Sequence, residues 1–233
     1  MKSKNNAKVP WSISDIIIVF LLIFLSAAII FLFLKSTSSD EAAVFSLFSI
    51  FYSLYTLAVI YLWLKIRYKI SLKDLGIKVG KYKIRNQFVL GVLVALCYLF
   101  ILWICPFWHE IAFHQVSGFR KSLVVIIGTL FTMTGFSTFI LTPVGEEILL
   151  RGFLYRYLRK KMGLLLGLFI QSSIASIMHF SSLLGYLEIG HVFGYLSYIF
   201  FFNIIVAMLY EFSESLYSSI FCHAVFNYIL FLY

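Results

Sequence analysis

Long apolar runs separated by short polar stretches dominate this chain. A helix needs about 20 apolar residues to cross the hydrocarbon core of a bilayer. Runs of that order occupy 13–34, 43–64, 87–108, 122–142, 163–180, 191–210 and 215–233. A further segment, 145–160, is apolar on one side but carries Glu146, Glu147, Arg151, Arg156 and Arg159. It either crosses the membrane or enters it part way. The pattern predicts an all-α fold, a polytopic membrane helical bundle of about eight transmembrane helices. No internal repeat, low-complexity tract or long linker divides it. One continuous membrane domain is expected, with N-terminal helices and a basic loop in 1–120 and the chemistry-bearing core in 121–233.

Composition supports this class. The chain has 233 residues, 62% hydrophobic and 12% charged. Soluble domains are nearer 45–50% apolar and about a quarter charged. The first apolar run follows Lys2, Lys4 and Lys8 but is too long for a cleavable signal sequence, and Ser26-Ala27-Ala28 leads into more apolar residues. It reads as a first transmembrane helix. The net charge of +9 needs no nucleic acid, because basic loops between spans meet anionic lipid on the cytoplasmic side.

Lys65, Arg67, Lys69, Lys73, Lys78, Lys81, Lys83 and Arg85 crowd the second loop, whereas the first has Lys35 offset by Asp40 and Glu41. The N-terminus and second loop are therefore expected in the cytoplasm, with Glu146 and Glu147 near that face. A full crossing by 145–160 would then place Arg159, Lys160 and Lys161 outside, against the rule. Within Ser71–Gln87, Leu72, Leu75 and Ile77 suit a short interfacial helix on the headgroups, and a solvated basic loop is the equal alternative. Cys97, Cys105 and Cys222 all lie in apolar runs and read as buried, reduced thiols.

The chemistry gathers after Thr142. Charges in mid-bilayer cost about 2.5–3.5 kcal/mol on insertion scales, so they face the protein interior and usually carry function. Glu147 and Arg151 are four apart, share a helix face and can pair. Glu146 then lies about 100° around the helix, without an adjacent cation. A carboxylate in an apolar pocket suits general-base work near neutral pH. His223 and Asn227 are also four apart, on one face of the last run, and His179 closes an earlier one. Two imidazoles, a carboxylate and an amide suit water activation with oxyanion stabilisation. Read singly, each has a structural alternative: a helix-locking ion pair, or hydrogen bonds between helices. His109, Glu110, His114, Glu188 and His191 read as interfacial.

Three motifs in order, "EEILLR" (Glu146, Glu147, Arg151), His179 and "HAVFN" (His223, Asn227), resemble the CPBP family of CAAX proteases and bacteriocin-processing intramembrane endopeptidases, also called the Abi family. The family pattern is EExxxR, FxxxH and HxxxN or HxxxD. The likeness runs from Pro143 to Asn227, including the "PVGEEILLRGFLY" context. One position departs: Ala175 stands four before His179 in place of phenylalanine, which bears on substrate geometry. The resemblance implies that Glu146 activates the attacking water and that His179 holds this water or shuttles its proton. It implies that His223 and Asn227 stabilise the oxyanion while Glu147 and Arg151 hold the site in shape. It implies peptide-bond hydrolysis without a covalent intermediate, without a cofactor, and on a peptide or protein substrate in the lipid bilayer. A leader peptide, a bacteriocin or signalling-peptide precursor, and a prenylated C-terminus are all candidate substrates. The Lys, Ile, Phe and Tyr bias points to a bacterial cell membrane.

Three rival readings stand beside this one. Glu146, His179 and His223 form a possible zinc ligand set with water in the fourth position, although Asn227 fits oxyanion binding better. A non-catalytic immunity or regulatory protein needs no base at Glu146. A small transporter with a proton relay accommodates buried Glu and His residues, but not a glutamate pair leading an arginine turn.

Overall fold

The computed structural model describes residues 9–114, 132–180 and 189–232. Every regular element there is helical: α1 (Ile13–Thr37), α2 (Glu41–Tyr68), α3 (Ile84–Ile104), α4 (Pro106–His114), α5 (Met133–Phe136), π1 (Ser137–Leu141), α6 (Thr142–Glu147), π2 (Ile148–Tyr155), α7 (Arg156–Met178), α8 (Ile189–Ser213) and α9 (Leu216–Leu232). Among the described residues, five helical segments are long and apolar enough to cross a membrane, and Leu216–Leu230 is a shorter apolar one. The expected helix at 122–142 falls partly outside the described residues, as do Lys2, Lys4, Lys8 and Glu188.

The charged segment 145–160 is not a separate span. It continues an unbroken helical path from Met133 through α5, π1, α6, π2 and the start of α7. Pro143 lacks an N–H and would crowd the carbonyl one turn back in a regular α-helix. Here the preceding turn is widened: the Thr142 N–H bonds to the Ser137 carbonyl, five residues back. Gly163, with φ 84° and ψ −172°, then breaks the path and sends the rest of α7 back. A Cβ at Gly167 would lie 3.1 Å from the Arg159 backbone nitrogen, so the two arms touch closely near the corner.

This corner resolves the charge conflict anticipated above. Lys160 Nζ donates to the Val9 carbonyl at 3.1 Å, and Arg156 to that of Asp74. Arg159 pairs with Glu211 at 2.5 Å, and the Tyr155 hydroxyl donates to the same carboxylate. The Lys78 carbonyl accepts from Ser215 Oγ, and the Lys81 N–H donates to the Ser213 carbonyl. The N-terminal segment, the second loop, the Arg156–Lys161 turn and the α8–α9 turn therefore share one end of the bundle. Glu146 and Glu147 lie roughly 25 Å up the helix from Gly163, well inside the bundle rather than at that end.

The second loop exposes its lysines and arginines, as a solvated basic loop does, but Leu72, Leu75 and Ile77 turn into the protein instead of resting as a helix on headgroups. Leu75 is buried, and Leu72 and Ile77 pack against the same core. That core unites α1, α2, π2, α7 and α9 through Ile16, Ile60, Leu149, Phe153, Ala175 and Leu216. A second cluster joins α3, α4, α8 and α9 around Tyr98, Phe202 and Phe226. Asp15 ties α1 to α2. It caps α1 through Ser12 and accepts from Trp63 Nε1 at 3.0 Å and the Tyr68 hydroxyl at 2.5 Å, with Arg67 at 3.2 Å. Leu21, Leu25, Ile29 and Phe33 on α1 and Leu93, Leu96 and Phe100 on α3 point outward, as lipid-facing residues of a membrane bundle do. Cys97 shares that outer face, so burial in protein holds for Cys222 alone; all three cysteines are free.

α3 and α9 approach at Gly91. A Cβ there would fall 2.6 Å from the Ser218 carbonyl oxygen and 2.9 Å from the Cys222 nitrogen. Both are backbone atoms and cannot rotate away. Gly91→Leu is expected to push α9 off α3 and lower stability by about 1–3 kcal/mol or more. A thermal melt in detergent would show it as a lower unfolding temperature.

Candidate active site

The site grows from the junction of α6 and π2. Every residue from Ile148 to Tyr155 is buried, so a charge on this stretch must find its partner within the protein. Arg151 and Glu147 are fully buried and pair at 2.9 Å, as their four-residue spacing predicts. Glu147 Oε1 also meets His223 Nδ1 at 2.8 Å. The other ring nitrogen, His223 Nε2, lies 3.8 Å from Glu146 Oε2. One imidazole thus stands between the two adjacent glutamates, touching one and facing the other. An ionised Glu147 can only accept, so the proton belongs on Nδ1 and leaves Nε2 toward Glu146.

Asn227 sits one turn beyond His223, and its Nδ2 donates to the Thr138 carbonyl at 3.3 Å. That acceptor follows from Pro143. In the widened register the Thr138 carbonyl would take the N–H of residue 143, which proline does not have. The amide fills the vacancy and keeps a second N–H for another acceptor.

His179 ends α7, half-buried, with Nδ1 on the Ala175 carbonyl at 2.8 Å. Gly163 lies midway in sequence between Glu147 and His179, and the two arms run back along each other from it. His179 therefore reaches roughly the depth of the glutamate pair. Among the described residues no hydrogen bond or ion pair joins it to Glu146 or His223. The buried Ala175 stands at about the depth of Arg151, where a larger side chain would need room. No three His, Cys, Asp or Glu side chains among the described residues gather closely enough to hold a metal ion.

One participant escaped the sequence reading. Asn203 of α8 is buried, and its Oδ1 accepts from Arg151 at 2.8 Å. A lone asparagine inside the apolar run 191–210 was the available signal.

The profile of the type II CAAX prenyl endopeptidase Rce1-like family matches residues 91–229. The chain belongs to this family. The match runs from within α3 to within α9 and takes in every site residue named here. No curated protein and no solved structure matches the chain. Membership of this CAAX protease family, with several membrane-length helices, makes the chain an integral multi-pass membrane protein of a protease family. α1 and α2 lie outside the match, yet both enter the core under the site.

Proposed function

We propose that this protein is an intramembrane endopeptidase that cleaves a membrane-embedded peptide with a water activated by Glu146. The observation carrying this reading is the placement of His223, with Nδ1 at 2.8 Å from Glu147 and Nε2 at 3.8 Å from Glu146. A water bound between Glu146 and an incoming carbonyl carbon gives its proton to the carboxylate as its oxygen attacks. Asn227 donates its remaining N–H to the developing oxyanion, and His223, held through Nδ1 by Glu147, presents Nε2 to the same site. Glu146 then returns the proton to the leaving amine as the C–N bond breaks, giving a free carboxylate and an amine. His179 can steady the water from the neighbouring arm with Nε2, since Nδ1 is held by Ala175. Neither a serine nor a cysteine is required; the Cys222 sulfur is buried beside His223 on another face of α9.

The substrate proposed is a leader peptide, a bacteriocin or signalling-peptide precursor, or a prenylated C-terminus. Comparative peptidomics of cells carrying the wild-type or Glu146→Gln protein would name it: an uncut precursor accumulates with the variant. If purified wild-type protein in vesicles leaves that precursor intact, the proteolytic reading fails and a regulatory or immunity role takes its place.

The end that gathers the second loop and Arg156–Lys161 is proposed to face the cytoplasm. A cysteine placed at exposed Val79 is expected to react with an impermeant maleimide only after the cells are opened, and one at Ser39 in intact cells. The reverse pattern would invert the topology.

A further inference from the structure

We infer that Asn203 is a positioning residue of the active site: by gripping Arg151 from α8, it fixes Glu147, the acceptor that orients His223. The inference rests on the proteolytic reading. Asn203 contacts Arg151 twice, through Oδ1 at 2.8 Å and through its backbone carbonyl at 3.3 Å from the same Nη2. Its own amide is held: Nδ2 donates to the Ile199 carbonyl at 2.9 Å. Flipping the amide would set donor against donor at Arg151 and acceptor against acceptor at Ile199, so its orientation is determined.

The guanidinium is planar and rigid, so fixing Nη2 on α8 aims Nη1 at Glu147. Nη1 meets Glu147 Oε1, which also receives His223 Nδ1. A chain of contacts thus leads from α8 through Arg151 and Glu147 to the imidazole on α9. Among the described residues no other side chain ties Arg151 to α8. Arg151 Nε and Glu147 Oε2 are buried without a hydrogen-bond partner among the described side chains. Without the Asn203 side chain, Arg151 keeps Glu147 on Nη1 and only the longer 3.3 Å contact of Nη2 with the residue-203 carbonyl, and its fork can turn. Glu147 and His223 would then lose their fixed alignment toward Glu146. Errors of about 1 Å in such alignments cost up to about 100-fold in rate.

The test uses the full chain in nanodiscs, on the precursor found by peptidomics, with Asn203→Leu and Asn203→Asp. Leucine keeps the volume and removes both polar atoms. Aspartate keeps the oxygen that Arg151 needs. Asn203→Leu is expected to lower kcat about 10- to 100-fold with KM within about threefold, and Asn203→Asp to stay within about fivefold of wild type. In an Arg151→Lys background, which has no Nη2 to grip, Asn203→Leu should cost nothing more. A spectroscopic arm needs no activity: ¹⁵N-arginine NMR should resolve distinct Arg151 Nη signals in the wild type and Asn203→Asp, and averaged ones in Asn203→Leu. Should Asn203→Leu not fold, Asn203→Asp decides alone through its rate and its Nη signals. Equal losses in the two variants, additive losses with Arg151→Lys, a change confined to KM, or unchanged Nη signals would each overturn the inference. If the wild type cleaves nothing while the Nη signals change as described, the proteolytic reading has failed and the Asn203 grip has not.

Discussion

Glu146→Gln is expected to lower the rate of peptide cleavage by about 10²–10⁴-fold, the range a positioned general base contributes. Glutamine matches glutamate in shape, keeps an oxygen toward His223 Nε2, and cannot take a proton from water. Glu146 lies at the rim of the buried network: its side chain is 13% exposed, whereas that of Glu147 is fully buried. The substitution therefore leaves the Glu147–Arg151 pair in place and should barely change the unfolding temperature. Single-turnover cleavage by purified protein in vesicles, with a melt on the same sample, separates lost chemistry from lost structure. Cleavage retained within about tenfold of wild type would remove Glu146 from the reaction and leave the protein without its proposed base.

The parts of this site that were legible in the sequence depend on local geometry. The Glu147–Arg151 pair and the shared face of His223 and Asn227 follow from helical spacing alone. Helical order, membrane length and the outward-facing apolar surfaces follow equally from composition and run length. What was not legible depends on partners far along the chain. The charges at 145–160 looked like an interruption between two spans because the groups that complete them lie elsewhere in the chain: Asn203 and His223 around the Glu147–Arg151 pair, Glu211 at Arg159 and the Asp74 carbonyl at Arg156. Once those partners are present, one helix runs through the charged stretch. Pro143 lies inside that path, where a widened π turn takes up its ring and the carbonyl its missing N–H leaves free becomes an anchor for Asn227. Gly163 marks the true reversal, but a single glycine in "KKMGLLLG" carries no sign that its φ is positive. In the second loop Leu72, Leu75 and Ile77 were legible as apolar, but that Leu75 sits against Gly152 rather than on headgroups emerges from the packing of π2 and α9. The depth of His179 follows only after the Gly163 corner is known.

The second large effect concerns the fold beneath the chemistry. Arg151→Met is expected to destabilise the protein by about 3–5 kcal/mol, because it leaves the Glu147 carboxylate buried beside only one donor, His223 Nδ1. Glu147→Leu should cost a similar amount by stranding the guanidinium, for which Asn203 offers no charge. The pair of substitutions together behaves differently. Two apolar side chains of similar volume need no partners, and such replacements are often neutral or stabilising by about 1–4 kcal/mol. The double variant should therefore melt well above either single variant, and a cycle of the four proteins should give a large non-additive term. Cleavage will not follow stability back. With Glu147 gone, His223 Nδ1 has lost the acceptor at 2.8 Å that set its tautomer, and Nε2 no longer presents a fixed face to Glu146. A double variant that is stable but nearly inactive is the expected outcome, read by melting and cleavage on the same preparations. If it recovers both stability and activity, Glu147 does not orient His223, and the buried ion pair is a structural device independent of catalysis.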